Sequence, residues 1–402
     1  MQTADGIAEL LRLHNPDRSL DRRFYTDPDI YALELERIVM RSWFLAGHES
    51  EIRQPGDFLL HKVANETAIV VRSPNGGVSA FANVCRHRGS LICLEQSGSV
   101  RKFECPYHGW TYDIDGNLIA ARSMPDDFDK SAHALNRVSV ETAGGFIFVA
   151  FAPDPPSLQP ARKNLSKPLK MFDTENLKVA ARKHYPIAAN WKLAVENYME
   201  CYHCANAHPD YARMHTLMLD PKRRDRIQGR MQERFADCGI EPYEVDRGPL
   251  EANADECFHS YWRVALFEGY KTGSRNGEPV APLLGELRDY DGGASDFCFG
   301  PFSYLLAYSD HIVAYVFTPL DGRNCACEVF WLVRGDAIEG KDFDLDELTW
   351  LWDTTTLLDE KIIVNNWKGI NSRFYKPGPF STMEDWEQDY TRWIVNELRR
   401  DP

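Results

Sequence analysis

The sequence has no long hydrophobic run. Its longest uncharged apolar stretch, Gly144 to Ala152, is nine residues, against the roughly 20 that a helix needs to cross a bilayer. Basic residues are the minority: 46 Lys and Arg against 60 Asp and Glu leave a formal charge of −14. Nucleic acids and anionic membranes bind through a positive footprint, so neither is expected as a partner. The opening MQTADGIAEL lacks a basic stretch followed by an apolar core. No secretory signal is read there, and a cytoplasmic location is expected. Cysteine is scarce, ten in 402 residues, which excludes a disulfide scaffold in a reducing compartment. The cysteines are then thiols or metal ligands, and their neighbours must decide which. Repeats, low-complexity tracts and long blocks of like charge are missing as well, so solenoid and tail-like architectures are excluded.

What is present is ordinary for a chain with a substantial core, 44% hydrophobic and 26% charged. At about 150 residues per domain the length suggests two or three domains. Residues 5–15 and 27–44 read as helical. Strand signals follow at DFLLHKV (57–63), ETAIVVR (66–72) and VSAFANV (78–84), separated by turn chemistry; Asp115-Gly116 is a further hairpin signal. The Pro-containing stretch from Pro153 to Pro168 marks a domain boundary. Beyond it, 188–206 reads as a helix, 220–250 as polar and irregular, and Tyr304–Thr318 and Ala326–Arg334 as strands. A long helix is expected from about Asp344 to Trp367, and a final one after the capping-box pattern Ser381-Thr-Met-Glu384. Strands with a few long helices in this order predict an α+β fold.

Two constellations carry chemistry. The first is Cys85-x-His87 followed by Cys105-x-x-His108. Two Cys and two His could hold one zinc ion or a Rieske [2Fe–2S] cluster, with two Cys on one iron and two His on the other. Zinc fingers pair Cys with Cys and His with His, whereas here each arm offers one of each. That arrangement favours the cluster, with zinc as the alternative.

The second constellation is Glu200, His203 and His208. Glu200 and His203 share a helical face. His203 and His208 sit about 140° apart on a regular helix and converge only if the helix is broken or bulged between them. Two His with a carboxylate from elsewhere form the facial triad of non-haem Fe(II) oxygenases. Asp359 is the candidate carboxylate, because it continues the apolar stripe Leu345, Leu348, Trp352, Thr355 and Ile363 of the long helix, and a carboxylate on a buried face needs a cation. A buried salt bridge or a helix cap is the alternative role for Asp359. Cys201 and Cys204 are read as packing residues, as are Cys325 and Cys327; the eight cysteines outside the first constellation are taken as ordinary thiols. The other histidines carry no usable spacing.

With both constellations in one chain, the sequence resembles the oxygenase (α) subunit of Rieske non-haem iron oxygenases. The runs Glu200-Cys-Tyr-His203-Cys and Gly369-Ile-Asn-Ser-Arg373-Phe-Tyr-Lys-Pro-Gly378-Pro are similar to the subgroup of glycine betaine and carnitine monooxygenases and stachydrine demethylase. The resemblance implies an N-terminal Rieske β-domain (41–155) and a C-terminal helix-grip catalytic domain (156–402), with residues 1–40 as a helical segment packed on the latter. It implies two cofactors, a [2Fe–2S] cluster and mononuclear Fe(II), and as partners O2, a small-molecule substrate and an NAD(P)H-dependent reductase. It further implies a homotrimer in which Glu200 links His203 to His108 of the adjacent subunit. Most members carry Asp where this chain has Glu200, and after Asp359 this chain has Asn365-Asn366 where the subgroup carries at least one Glu. The expected reaction is C–H hydroxylation leading to N-demethylation of a betaine-type compound. A cationic substrate calls for aromatic faces, for which Tyr304, Tyr308, Tyr315 and Phe317 are candidates, with Trp262 and Phe267 nearby. Hydroxylation of an aromatic acid is the alternative substrate reading. An electron-carrying Rieske protein without oxygenase activity is the alternative from another class, and the second constellation speaks against it.

Overall fold

The computed structural model describes residues 4–245 and 255–400. Helices α1 (Ala4–Leu13), α2 (Arg22–Thr26) and α3 (Pro28–Glu34) come first, the last continuing into a wider π-type turn at Leu35–Val39. Asp27 caps α3 by accepting from the Asp29 amide, ahead of Pro28 at the first helical position. The expected helix over 27–44 therefore stops short, and Phe44 opens a strand.

Ten strands follow: β1 (Phe44–His48), β2 (Asp57–Val63), β3 (Glu66–Arg72), β4 (Val78–Ala82), β5 (Ser97–Ser99), β6 (Phe103–Glu104), β7 (Thr111–Tyr112), β8 (Leu118–Ala120), β9 (Ser139–Ala143) and β10 (Phe146–Ala150). They form three small antiparallel sheets, ordered β4-β3-β2-β5, β6-β7-β8 and β1-β10-β9. Side chains alternate across a strand, and here both faces of the β2–β3 hairpin are used. Phe58, Ile69 and Val71 enter a small core that also holds Cys85, Cys105, Trp110 and Tyr112. Leu59, Val63, Ala68 and Val70 enter the main core. The hairpin thus forms the wall between two cores.

The second half contains α4 (Gln159–Met171), β11 (Leu177–Ile187), α5 (Trp191–Met199), α6 (Cys204–Ala207), α7 (Pro209–Ala212), α8 (Pro221–Gln232) and α9 (Phe235–Cys238). Strands β12 (His259–Ala265), β13 (Gly293–Phe299), β14 (Ser303–Ala307), β15 (Ile312–Pro319) and β16 (Cys325–Arg334) precede α10 (Leu345–Ile370) and α11 (Asp385–Leu398). The strands make one six-stranded antiparallel sheet, ordered β11-β16-β15-β14-β13-β12. The mixed α+β class is as expected.

Two expectations over this half are corrected. The polar stretch after 220 is helical at Pro221–Gln232, because Asp220 caps it with a side chain accepting from the Arg223 amide and Pro221 starts it; its Lys, Arg and Gln favour helix without needing an apolar stripe. The rest of the expected irregular stretch falls partly outside the described residues. The Pro-containing stretch ends in helix α4, which accommodates Pro168. The N-terminal segment is tied to the second half by buried polar contacts. The Lys192 ammonium donates to both oxygens of Glu34 at 2.6 and 2.7 Å, and the Tyr25 hydroxyl donates to Glu196. No helix among the described residues is long and apolar enough to cross a membrane.

Candidate metal centres

Cys85 and Cys105 open two loops of the same construction. The amide of Gly89 donates to the Cys85 carbonyl and that of Gly109 to the Cys105 carbonyl, each at 3.0 Å. Both glycines are left-handed, with φ of +74° and +70°, a conformation that a Cβ disfavours. The two sulfurs are buried, while His108 is exposed and His87 half-buried, with ring centroids 4.6 Å apart. His87 stacks on Trp110 at 4.8 Å. The Tyr112 hydroxyl accepts from the Arg86 amide at 3.0 Å and lies 3.4 Å from Cys85 Sγ. Burial, together with the neighbouring Cys105 thiol, holds the Cys85 thiol above its ordinary range. Two sulfurs facing inward and two imidazoles facing outward form a donor set that fits a [2Fe–2S] cluster.

The second centre depends on two breaks in what the sequence reads as one helix. Asn190 caps α5, its side chain accepting from the Lys192 amide. Glu200 then turns extended, at φ −129° and ψ 158°, and ends α5. His208, at φ −128° and ψ 72°, separates α6 from α7. The interruption expected between the two histidines is instead displaced to its edges: 204–207 is helical, and the breaks at Glu200 and His208 bring both side chains together with Asp359 of α10. Asp359 Oδ1 is 2.8 Å from His208 Nε2 and 3.3 Å from His203 Nε2, and the three ligand atoms lie within 4.8 Å of one another. Leu348, Trp352, Thr355 and Ile363 are buried along the same stripe of α10, as the helical period requires. Asn365 and Asn366 are exposed on that helix.

The three side chains share charge closely. Burial alone lowers the His203 imidazole, but Asp359 and Glu200 outweigh it and raise the group to about 9. Burial raises Asp359, and the two imidazoles overcome that and hold it below the ordinary carboxylate range. A carboxylate held ionised against two imidazoles at this spacing suits a divalent cation. Glu200 Oε1 lies 2.5 Å from His203 Nδ1, and its other oxygen accepts from the His203 and Tyr202 amides. One cysteine expectation is corrected here: Cys201 and Cys204 are joined as a disulfide. The turn after Glu200 sets their Cα atoms 5.0 Å apart, inside the range that a disulfide spans, and directs the sulfurs toward each other.

Rings lead away from the triad. The Tyr211 ring is 6.5 Å from His208, Trp352 is 5.6 Å from Tyr211, and Tyr315 is 5.7 Å from Trp352. Tyr198 of α5 then gathers Tyr304, Tyr315 and Phe317 at 4.3, 5.4 and 5.6 Å. Three of the four aromatic candidates therefore meet. Tyr308 stands apart, its hydroxyl 2.8 Å from His215 Nε2, and His215 stacks on Tyr211 at 3.9 Å. Trp262 meets Trp386 of α11 edge-on at 4.3 Å. Tyr198, Tyr211 and His215 were not singled out from the sequence, and Trp352 was read only as part of the apolar stripe of α10. For Tyr198 and Tyr211 the available signal was closeness in sequence to Glu200 and His208.

Known proteins resemble this chain along both of its halves. Residues 42–137 match the Rieske [2Fe-2S] domain, and residues 174–399 match the ring hydroxylating alpha subunit, catalytic domain. The glycine betaine monooxygenase oxygenase subunit of Chromohalobacter salexigens is 36% identical, over 98% of this chain and 89% of its own. That of Pseudomonas aeruginosa is 34% identical, over 98% and 93%. The carnitine monooxygenase oxygenase subunit of Acinetobacter baumannii is 33% identical, over 62% and 67%. Among solved structures, the quaternary ammonium Rieske monooxygenase CntA superposes with a TM-score of 0.74 at 23% identity, over 96% of this chain and 97% of its own. Naphthalene 1,2-dioxygenase from Rhodococcus sp. superposes at 0.68 and 20%, over the whole of both chains; these two likenesses speak for the fold. The chain belongs to the Rieske-type ring-hydroxylating oxygenases, as the oxygenase (alpha) subunit with a Rieske [2Fe–2S] cluster and a mononuclear iron.

Proposed function

We propose that this protein is the oxygenase component of a multicomponent monooxygenase that hydroxylates an N-methyl group of a betaine-type quaternary ammonium compound. The observation that carries this reading is the run of rings from His208 through Tyr211, Trp352 and Tyr315 to Tyr198, Tyr304 and Phe317. A quaternary ammonium donates no hydrogen bond and is held by aromatic faces. Its likeness to glycine betaine and carnitine monooxygenase subunits supports the same substrate class.

In this reading Cys85, His87, Cys105 and His108 hold the cluster, and His203, His208 and Asp359 hold the iron. When bound, the two centres supply electron storage and oxygen activation. The protein's own part is orientation, dryness and timing. Glu200, accepting from Nδ1 of His203, fixes the tautomer that turns the Nε2 lone pair toward the metal. The aromatic walls keep water from the reacting carbon. Hydroxylation of an N-methyl carbon gives an N-hydroxymethyl group, which falls apart to formaldehyde and the demethylated amine.

Electrons come from an NAD(P)H-dependent reductase in the cytoplasm. The active assembly is a homotrimer in which Glu200 joins His203 to His108 of the next subunit; exposure of His108 on its loop supports that contact. Residues 41–155 hold the electron, residues 156–402 use it, and residues 1–40 brace the second unit. The test is formaldehyde release during turnover of the iron-loaded protein with a reductase and quaternary amines. Release stoichiometric with demethylated product supports the proposal. Phenols or diols formed from aromatic acids, without formaldehyde, would overturn it in favour of ring hydroxylation.

A further inference from the structure

Asp296 is the one partly accessible residue of β13, and Leu306 is the one partly accessible residue of β14. The two are direct cross-strand partners, and Trp262 of β12, also partly accessible, pairs with Asp296 on its other side. Direct partners share a sheet face, so Trp262, Asp296 and Leu306 form a row across three strands. Helices cover that row. Trp386 of α11 meets Trp262, and the Tyr198 hydroxyl of α5 lies 3.5 Å from Asp296 Oδ2. The row thus keeps partial accessibility beside side chains of α5 and α11.

The row is joined to the metal site by rings: Tyr198, beside Asp296, packs on Tyr315, and Trp352 and Tyr211 continue from there to His208. Among the described residues no Lys, Arg or His lies within ion-pair distance of Asp296. Its neighbour in the strand order, Arg263, projects to the opposite face and is taken by Asp291 at 2.6 Å. An ionised carboxylate surrounded by rings and lacking a cation is strongly disfavoured. Burial accordingly raises Asp296 to about 8, against a small opposing effect of the Tyr198 hydrogen bond.

From this placement we infer that Asp296 is the counter-ion for the ammonium group of the substrate, with the Tyr198 and Trp262 rings beside it. The inference rests on the quaternary-ammonium reading above and adds to it a residue that selects for positive charge. A ligand without the charge leaves Asp296 unpaired. A ligand with it completes the site.

The experiment compares binding of glycine betaine and of its uncharged-headgroup isostere 3,3-dimethylbutanoate to the iron-loaded wild type, Asp296→Asn and Asp296→Glu, by calorimetry. Cluster absorption and iron content report that each variant is folded and loaded. The expected result is at least tenfold weaker betaine binding to Asp296→Asn, no loss for the isostere, and partial recovery in Asp296→Glu. Equal betaine binding by wild type and Asp296→Asn would overturn the counter-ion role while leaving the demethylase reading intact. If Asp296→Asn fails to load its metals, Asp296→Glu decides: betaine binding no tighter than that of the isostere, in a folded variant, overturns the role. A wild type that binds neither betaine nor tetramethylammonium overturns both readings.

Discussion

The Glu200 carboxylate lies 2.5 Å from Nδ1 of His203, three residues further along, across the point where α5 ends. A helix could place the two on one face, but here Glu200 has left the helix and its second oxygen is taken by backbone amides. The carboxylate is therefore held from both sides.

Glu200→Gln keeps the shape and removes the charge. Turnover should fall by about 10- to 100-fold, the usual effect of losing a partner that orients a metal-binding histidine. Iron content and cluster absorption should stay unchanged, and Glu200→Asp should recover part of the rate. Re-oxidation of the pre-reduced cluster under substrate and O2 measures the step directly. A wild-type rate in the Gln variant would rule the positioning role out.

Asp359→Ala removes one of three converging donors. Iron should drop from about three to about two per chain, with about two acid-labile sulfides retained. Sulfide lost together with the third iron would mean that the two centres are not independent.

Tyr112 supplies a hydroxyl 3.4 Å from Cys85 Sγ. Hydrogen bonds to cluster sulfurs stabilise the reduced, more negative state. Tyr112→Phe should shift the cluster midpoint to more negative potential, read by spectroelectrochemistry, with unchanged sulfide content. No shift would mean that the hydroxyl points elsewhere in the loaded protein.

His61 of β2 is buried beside Phe44, and burial, with the Arg182 charge adding to it, depresses its imidazole to about 3. Between the ordinary pKa near 6.5 and about 3, the unfolded chain binds a proton that the native state refuses. Stability contributed by this group is thus complete above that window and falls as pH falls through it, by about 1.4 kcal/mol per unit. In His61→Leu the difference in urea stability between pH 7 and pH 5 should shrink by about 2 kcal/mol. An unchanged difference would show that water reaches the ring.

Much of the site was legible because its chemistry is written locally. Each Cys–x(1–2)–His pair sits on one loop, and a glycine closes the turn wherever the spacing demands it. Asp359 could be placed from the helical period alone, since a carboxylate on a buried stripe is conspicuous. Strands 57–63 and 66–72 match their expected bounds, as β-branched and aromatic runs between turn residues should. Helix α8 was hidden because a mostly exposed helix carries no apolar stripe to betray it. Cys201 and Cys204 were misread because their geometry depends on the backbone break at Glu200, where the sequence reads as continuous helix.

By itself, then, the sequence determined the fold class and pointed to two candidate donor sets, which rest on periodicity and short-range spacing. Only the tertiary structure decided which rings meet and what they enclose. Tyr304, Tyr315 and Phe317 gather on Tyr198 while Tyr308 turns to His215, a choice made by strand register and helix packing. Asp296 is an unremarkable acid in the sequence, and the pairing of β12, β13 and β14 is what places it under the helices, with no cation beside it among the described residues. Contacts between residues far apart in the chain carry no local signature, because the burial that gives them their energy exists only once the sheet has formed.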